Sequence, residues 1–171
     1  MNRRTFGLTM LTMALGACAT GPSISSDTTP GAEFAHYRTY DWVNLPPPPG
    51  MNPVALARIR QGIEREMAAK GYSRARPGDI TLIVTVAGKE QLDISQRGPF
   101  AHDLSVRNYT DGTLAVDAFD TRTRQPIWHG QAVQRVDPRK LDPELIEAAI
   151  TGVMARLPSR DQAADGPFTG T

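Results

Sequence analysis

Three histidines, one cysteine and a short series of aspartates are the residues of this sequence whose types carry chemistry most readily. His36, His102 and His129 offer imidazoles for metal binding or proton transfer. None of them stands in an HExxH or comparable ligand spacing, so they read as histidines of a sheet surface or a loop. Asp111, Asp117 and Asp120 are close enough in sequence to act as paired carboxylates in general acid–base catalysis. Their places beside Gly112 and just before the polar stretch TRTRQ fit turns and an outward strand face better. No GxSxG elbow presents a serine nucleophile, and no glycine-rich loop is set to cradle a phosphate. No metal or cofactor is implied. The single cysteine, Cys18, excludes an intramolecular disulfide and a cysteine-based zinc site.

The surroundings of Cys18 assign its thiol a task. Residues 1–17 join a basic head at Arg3 and Arg4 to a modest apolar stretch from Phe6 to Leu15, then to small residues directly before the cysteine. This is the build of a secretory signal, which lies outside the fold. The quartet Leu15-Gly16-Ala17-Cys18 resembles the lipobox of bacterial lipoproteins. That resemblance implies cleavage between Ala17 and Cys18, a diacylglyceryl thioether on the Cys18 sulfur, and an acyl group such as palmitate on its new amine. In Gram-negative lipoproteins an Asp after the cysteine retains the protein at the inner membrane. Ala19 therefore implies passage to the outer membrane. Asn2-Arg3-Arg4-Thr5-Phe6 also resembles a twin-arginine export signal, although two positive charges suit any signal peptide.

Composition narrows the remaining classes. At 171 residues with 40% hydrophobic content, the chain suits one globular domain with ends outside it. A net charge of +1, with arginines dispersed among acids, gives no electrostatic footprint for nucleic acid. Past the N-terminus no apolar run approaches the ~20 residues that a membrane-spanning helix needs.

The elements divide the chain into four parts: a signal peptide over 1–17, a lipidated flexible tether over 18–31, one domain over 32–158 and a disordered tail over 159–171. The tether sequence ATGPSISSDTTPG is small and polar, with Ile24 able to start only a short edge strand. Residues 33–43 alternate and are rich in aromatics, which predicts a strand. Pro46 to Pro49 form a stiff extended spacer. Asn52 and Pro53 open a helix running to Lys70, with Leu56, Ile59, Ile63 and Met67 on its apolar stripe, and Gly71 ends it. Arg60 with Glu64 and Glu66 with Lys70 are spaced as i, i+4 pairs on its wet side. Gly62 inside that helix predicts a close neighbour, because glycine there costs about 1 kcal/mol against alanine.

Residues 79–87 are the clearest strand, with alternation that runs on through Leu92 and Ile94 after a bend at Gly88, and 96–110 read as a surface loop with a short strand near Leu104 to Tyr109. The stretch 112–136 predicts a hairpin in which Asp120 faces Pro126, Ala118 faces Trp128, Val116 faces Gly130 and Leu114 faces Ala132. Every large side chain then meets a small one. Asp142 and Pro143 open a second helix, with Ile146, Ala149, Ile150, Val153 and Leu157 on its stripe, before Pro158. Both helices are one-sided. The expected fold is α+β, a largely antiparallel sheet with two helices on one face in the order β-α-β-β-β-α.

Several phrases then align with one family: Phe34 through Trp42 (FAHYRTYDW), Lys70-Gly71-Tyr72, Asp79-Ile80, Asp111 through Leu114, and Ile127-Trp128-His129-Gly130. Across residues 24–158 the chain resembles the bacterial lipoproteins that carry the domain of unknown function 4136. It departs from them at His129, where the family tends to carry arginine. The resemblance implies location and fold and brings no established activity. The expectation is a non-catalytic lipoprotein, anchored through Cys18 to the outer membrane and facing the periplasm, whose domain binds or props another envelope protein. A carrier of a small apolar ligand in the gap between sheet and helices is the second expectation, and a hydrolase assembled only in the fold is the third.

Overall fold

The computed structural model describes residues 21–43, 52–97, 103–137 and 142–160, and of 91–97 and 103–109 the backbone alone. Its centre is the hairpin that the alternation marks. Strands β5 (Asp103–Asp120) and β6 (Pro126–Val136) pair antiparallel, with Leu114 opposite Ala132, Val116 opposite Gly130 and Ala118 opposite Trp128. The missing side chain of Gly130 makes room for the indole. A Cβ there would stand 2.2 Å from Cη2 of Trp128 and 2.9 Å from Cγ1 of Val153.

Toward the turn the register departs from expectation. A bulge between Ala118 and Phe119 brings Phe119, and not Asp120, opposite Pro126. Asp120 is thereby freed to close the turn. Its side chain accepts from the Thr123 N–H at 2.7 Å, its own N–H donates to Gln125 O at 2.9 Å, and its carbonyl accepts from Arg124 N–H. Arg124 takes a left-handed φ of 61°. A polar five-residue connection with one left-handed residue is a common partner of such a bulge.

Strand β4 (Ile80–Arg97) pairs antiparallel with β5 along its whole length, from Ile80 opposite Asp120 to Arg97 opposite Asp103. On its other side lies β2 (Thr39–Trp42), parallel to β4, and then β3 (Ser73–Arg74), parallel to β2. Strand β1 (Ser23–Thr28) runs antiparallel on β6 and closes the order β1-β6-β5-β4-β2-β3. The α+β class holds, and the sheet is mixed because β2 reaches its neighbours through a helix and joins them parallel.

Helices α1 (Pro53–Ala69) and α2 (Pro143–Met154) start as their caps require. Asn52 accepts from Val54 N–H at 2.9 Å and Asp142 from Glu144 N–H at 2.9 Å. Gly71 at φ 85° ends α1, and Tyr72 N–H returns to Met67 O at 3.0 Å. The stapling residues Met51 and Leu141 lie outside the described residues. Ile59, Ile63 and Met67 of α1 and Ile150, Val153 and Met154 of α2 bury against Tyr40, Trp42, Leu82, Val116 and Trp128 of the sheet. Each such side chain contributes about 1.5–3 kcal/mol. Gly62 does have its close neighbour, since a Cβ would meet Cδ1 of Ile150 at 2.7 Å. Glu64 serves another contact than the i, i+4 pair: it accepts from Trp42 Nε1 at 3.1 Å and Arg74 Nη1 at 3.0 Å, stitching α1 to β2 and β3.

Four boundaries differ from the sequence reading. Residues 23–28 form an edge strand where a tether is expected, because Ile24 packs over Gly152 of α2, at 2.8 Å from the position of a Cβ. The stretch 33–43 breaks into a 3₁₀ turn at Phe34–His36 and then β2, which buries Phe34. Residues expected in a loop after Gln96 extend both long strands, to Arg97 and from Asp103. At the other terminus Arg160 N–H donates to Lys70 O at 3.2 Å, so paired backbone continues to that residue. Residues 161–171 lie outside the described residues.

Candidate functional site

Three segments distant in sequence meet at the turn end of the sheet: residues 29–37, 77–79 and 120–127. Between them opens a cleft of about 630 Å³, lined among others by His36, Tyr37, Asp79, Asp120 and Arg122. Gly78 lets the segments approach, because a Cβ there would lie 2.3 Å from the carbonyl carbon of Tyr40. Asp79 then clasps the start of β2. Its Oδ2 accepts from the N–H groups of Arg38 and Thr39 at 2.9 and 3.0 Å, and its own N–H donates to Thr39 Oγ1 at 3.0 Å.

These bonds set the electrostatics. The Arg38 N–H, ahead of the Thr39 contacts, holds the Asp79 carboxyl below its ordinary range. The Thr123 N–H does the same for Asp120, helped by Tyr37, whose hydroxyl donates to Asp120 Oδ2 at 3.1 Å. Burial, and then this bond, pushes the Tyr37 phenol up. Both acids stay ionised and the phenol stays protonated at neutral pH. A carboxyl working as a general acid needs the opposite shift. The cleft is thus walled by acceptors already engaged in holding its own loops.

The other residues with chemical types are dispersed. His36 pairs with Glu33 at 2.8 Å on the exposed rim of the cleft. His129 Nδ1 lies 2.7 Å from Asp117 Oδ1 on the sheet face away from the helices, and Asp27 is its ladder partner on the opposite side. Asp111 stands in register with Lys89 and Arg135. The three aspartates Asp111, Asp117 and Asp120 therefore do not form one site. Ala17, Cys18 and His102 lie outside the described residues. Among the described residues no group of three or more His, Cys, Asp or Glu is placed to hold a metal ion, and no helix is long and apolar enough to cross a membrane. The cleft is what sequence reasoning missed, since each contributing segment reads only as a turn.

The space between sheet and helices is filled by Ile59, Ile63, Met67, Ile150 and Met154. The cleft lies at the end of the sheet, outside that layer.

A sequence model described as Domain of unknown function (DUF4136) matches residues 24–159. No curated protein matches the chain. Among solved structures, a PDZ domain protein from Parabacteroides distasonis is similar over 86% of this chain and 36% of its own, at 12% identity and a TM-score of 0.54. This chain thus spans about a third of that protein. The PelC dodecamer from Paraburkholderia phytofirmans is similar over 81% of this chain and 99% of its own, also at 12% identity and a TM-score of 0.54. At such identities the likeness is one of fold.

Proposed function

Taking as premise that this chain belongs to the Domain of unknown function (DUF4136) family, we propose that it is an outer-membrane lipoprotein. Its domain, facing the periplasm, has a non-catalytic binding or structural role toward another envelope component. The observation that carries this reading is the spacing of Cys18 and the sheet. Ser23, the first residue of β1, follows the cysteine by five positions, 23 minus 18. A lipid on Cys18 then holds the sheet edge within about 17 Å of the bilayer, at ~3.4 Å per extended residue. An anchor joined so directly to a folded edge fixes a domain in place. PelC, a dodecamer with this fold, supports a role inside an assembly.

The test is Cys18→Ser together with mass spectrometry of the native protein. The expected result is a diacylglyceryl-modified N-terminal cysteine in the native chain, and a variant that keeps its fold but leaves the membrane fraction. A Cys18→Ser protein that remains with membranes after a salt wash overturns the anchor. A small molecule protecting Arg122 from modification in the cleft beside Tyr37 and Asp79 would replace the structural role with a carrier role.

A further inference from the structure

The sheet ends in two edges that are built differently. On one side β3 is only Ser73–Arg74, and its surroundings are charged: Arg74 Nη1 donates to Glu64 Oε1 at 3.0 Å and Arg76 Nε to Asp41 Oδ2 at 3.2 Å. A strand so short, set among guanidinium groups, offers little for another strand to pair with. On the other side β1 runs from Ser23 to Thr28 in unbroken register with β6, Ser23 opposite Val133 and Thr28 opposite Trp128. It holds no proline, lysine, arginine or bulge, the devices by which sheet proteins close an edge. Asp27 is its one charge.

This strand is also held in place. Ile24 packs over Gly152 of α2, its Cδ1 and Cγ1 lying 2.8 and 3.0 Å from where a Cβ would stand, and Thr29 just beyond bonds Ile127 O and Pro126 O. An incoming strand would meet a fixed template, with little ordering left to do.

One bond gives the direction of the backbone groups. Thr29 N–H donates to Ile127 O at 3.0 Å, and these two residues continue the register of β1 on β6. In an antiparallel ladder, residue pairs that exchange hydrogen bonds alternate with pairs that do not. Asp27, Ser25 and Ser23 thus turn their N–H and C=O toward β6, and Thr28, Ser26 and Ile24 turn theirs outward. Among the described residues no strand lies on that side.

Symmetry and charge select what fits there. Side chains that meet across a pair point to the same face of the sheet, so a twofold axis through β1 pairs even-numbered residues with even and odd with odd. Centred on Ser26, it sets Ser26 against Ser26 of the second copy and Ile24 against Thr28 of the second copy. All three outward residues of each copy are then matched at once, with two bonds to a pair. Asp27 falls opposite Ser25 of the second copy, so no like charges meet.

We propose that β1 is a self-association edge: two copies of this chain pair antiparallel through Ser23–Thr28, centred on Ser26, into one continuous sheet with all helices on a single face. The proposal does not depend on a lipid at Cys18.

The test uses the full chain carrying Cys18→Ser, which leaves it without cysteine, in sedimentation equilibrium. A concentration-dependent dimer is expected. Ser26→Pro on that background removes an outward N–H and no bond to β6. It is expected to weaken the dimer at least about tenfold and to leave the unfolding midpoint of the dilute monomer unchanged. Disulfide trapping reads the register. Chains with Ser25→Cys, mixed with tagged chains with Asp27→Cys, should form the mixed disulfide several-fold faster than either symmetric one, because that pair stands at a Cα separation of about 4.5 Å. A chain that stays monomeric up to its solubility limit overturns the proposal, and so does a dimer that Ser26→Pro leaves intact or that traps no mixed disulfide in excess. Slow hydrogen exchange at the Ser26 N–H of a monomer also overturns it, and identifies a segment of the same chain as the occupant.

Discussion

The two ends of this sheet are built on opposite plans. At the turn end, loops from three parts of the chain are pinned by Asp79, Asp120 and Tyr37, and Thr29 adds two bonds to β6, N–H to Ile127 O and Oγ1 to Pro126 O. At the other end β4 and β5 run on paired, among the described residues, with each other alone. The backbone ladder is the same throughout β4 and β5, so what distinguishes the two ends is the set of side-chain and cap bonds found at the turn end. An isolated two-stranded ribbon is marginal in water.

The largest expected effect probes the pinned end. Gly78→Ala would place a methyl 2.3 Å from Tyr40 C and 2.5 Å from Asp41 N. These are backbone atoms of a strand paired on both sides and have no room to retreat. A loss of about 3 kcal/mol in urea unfolding is expected, and a loss below a third of that would show the turn end to be looser than its contacts.

Asp79→Ala comes next. It removes an ionised acceptor from two backbone N–H groups, with an expected cost of about 2 kcal/mol. The pH dependence has a definite sign. Both Asp79 and Asp120 have folded pKa values below the unfolded ones, so their contribution is complete above about pH 4 and disappears as pH falls through the folded values. Acid unfolding of the Asp79→Ala, Asp120→Ala double variant should therefore flatten relative to wild type across that range. An unchanged acid limb would assign acid sensitivity to groups elsewhere. Thr29→Val is milder, about 1 kcal/mol, because it removes one side-chain bond at 2.7 Å and leaves the backbone bond beside it.

Much of the fold is legible in the residues themselves. Matching Trp128 to Ala118 and Val116 to Gly130 finds the hairpin register, and Asn52, Gly71 and Asp142 mark helix ends, because the causes lie within a few positions. What escapes is decided at long range. Ser23–Thr28 is polar enough to read as a tether, and only Gly152, over a hundred residues later, gives Ile24 a place to pack. The bulge at Phe119 depends on how Asp120 closes its turn. Alternation past Gly88 through Leu92 and Ile94 does announce the long β4, whereas its partner from Asp103 to Thr110 reads mostly as a loop and is identified as one long strand only by its pairing with β4. The cleft has no local signature, since Tyr37, Asp79 and Asp120 acquire a relation only when three turns stack.

Gly88→Ala is the smallest predicted change and the sharpest comparison with Gly78. Both glycines sit near β4, ten positions apart, and both substitutions add one methyl. At Gly88 that methyl would meet only Cγ2 of Thr110 at 3.2 Å, the end of a side chain able to rotate a few tenths of an ångström aside. The residue is exposed, and alanine also loses less conformational freedom on entering a strand than glycine does. The two terms oppose each other, so stability of the protein in solution should stay within about 0.5 kcal/mol of wild type. A cost at Gly88 equal to that at Gly78 would mean that the ribbon's base is as tightly enclosed as the turn end, and that the two ends differ in appearance only.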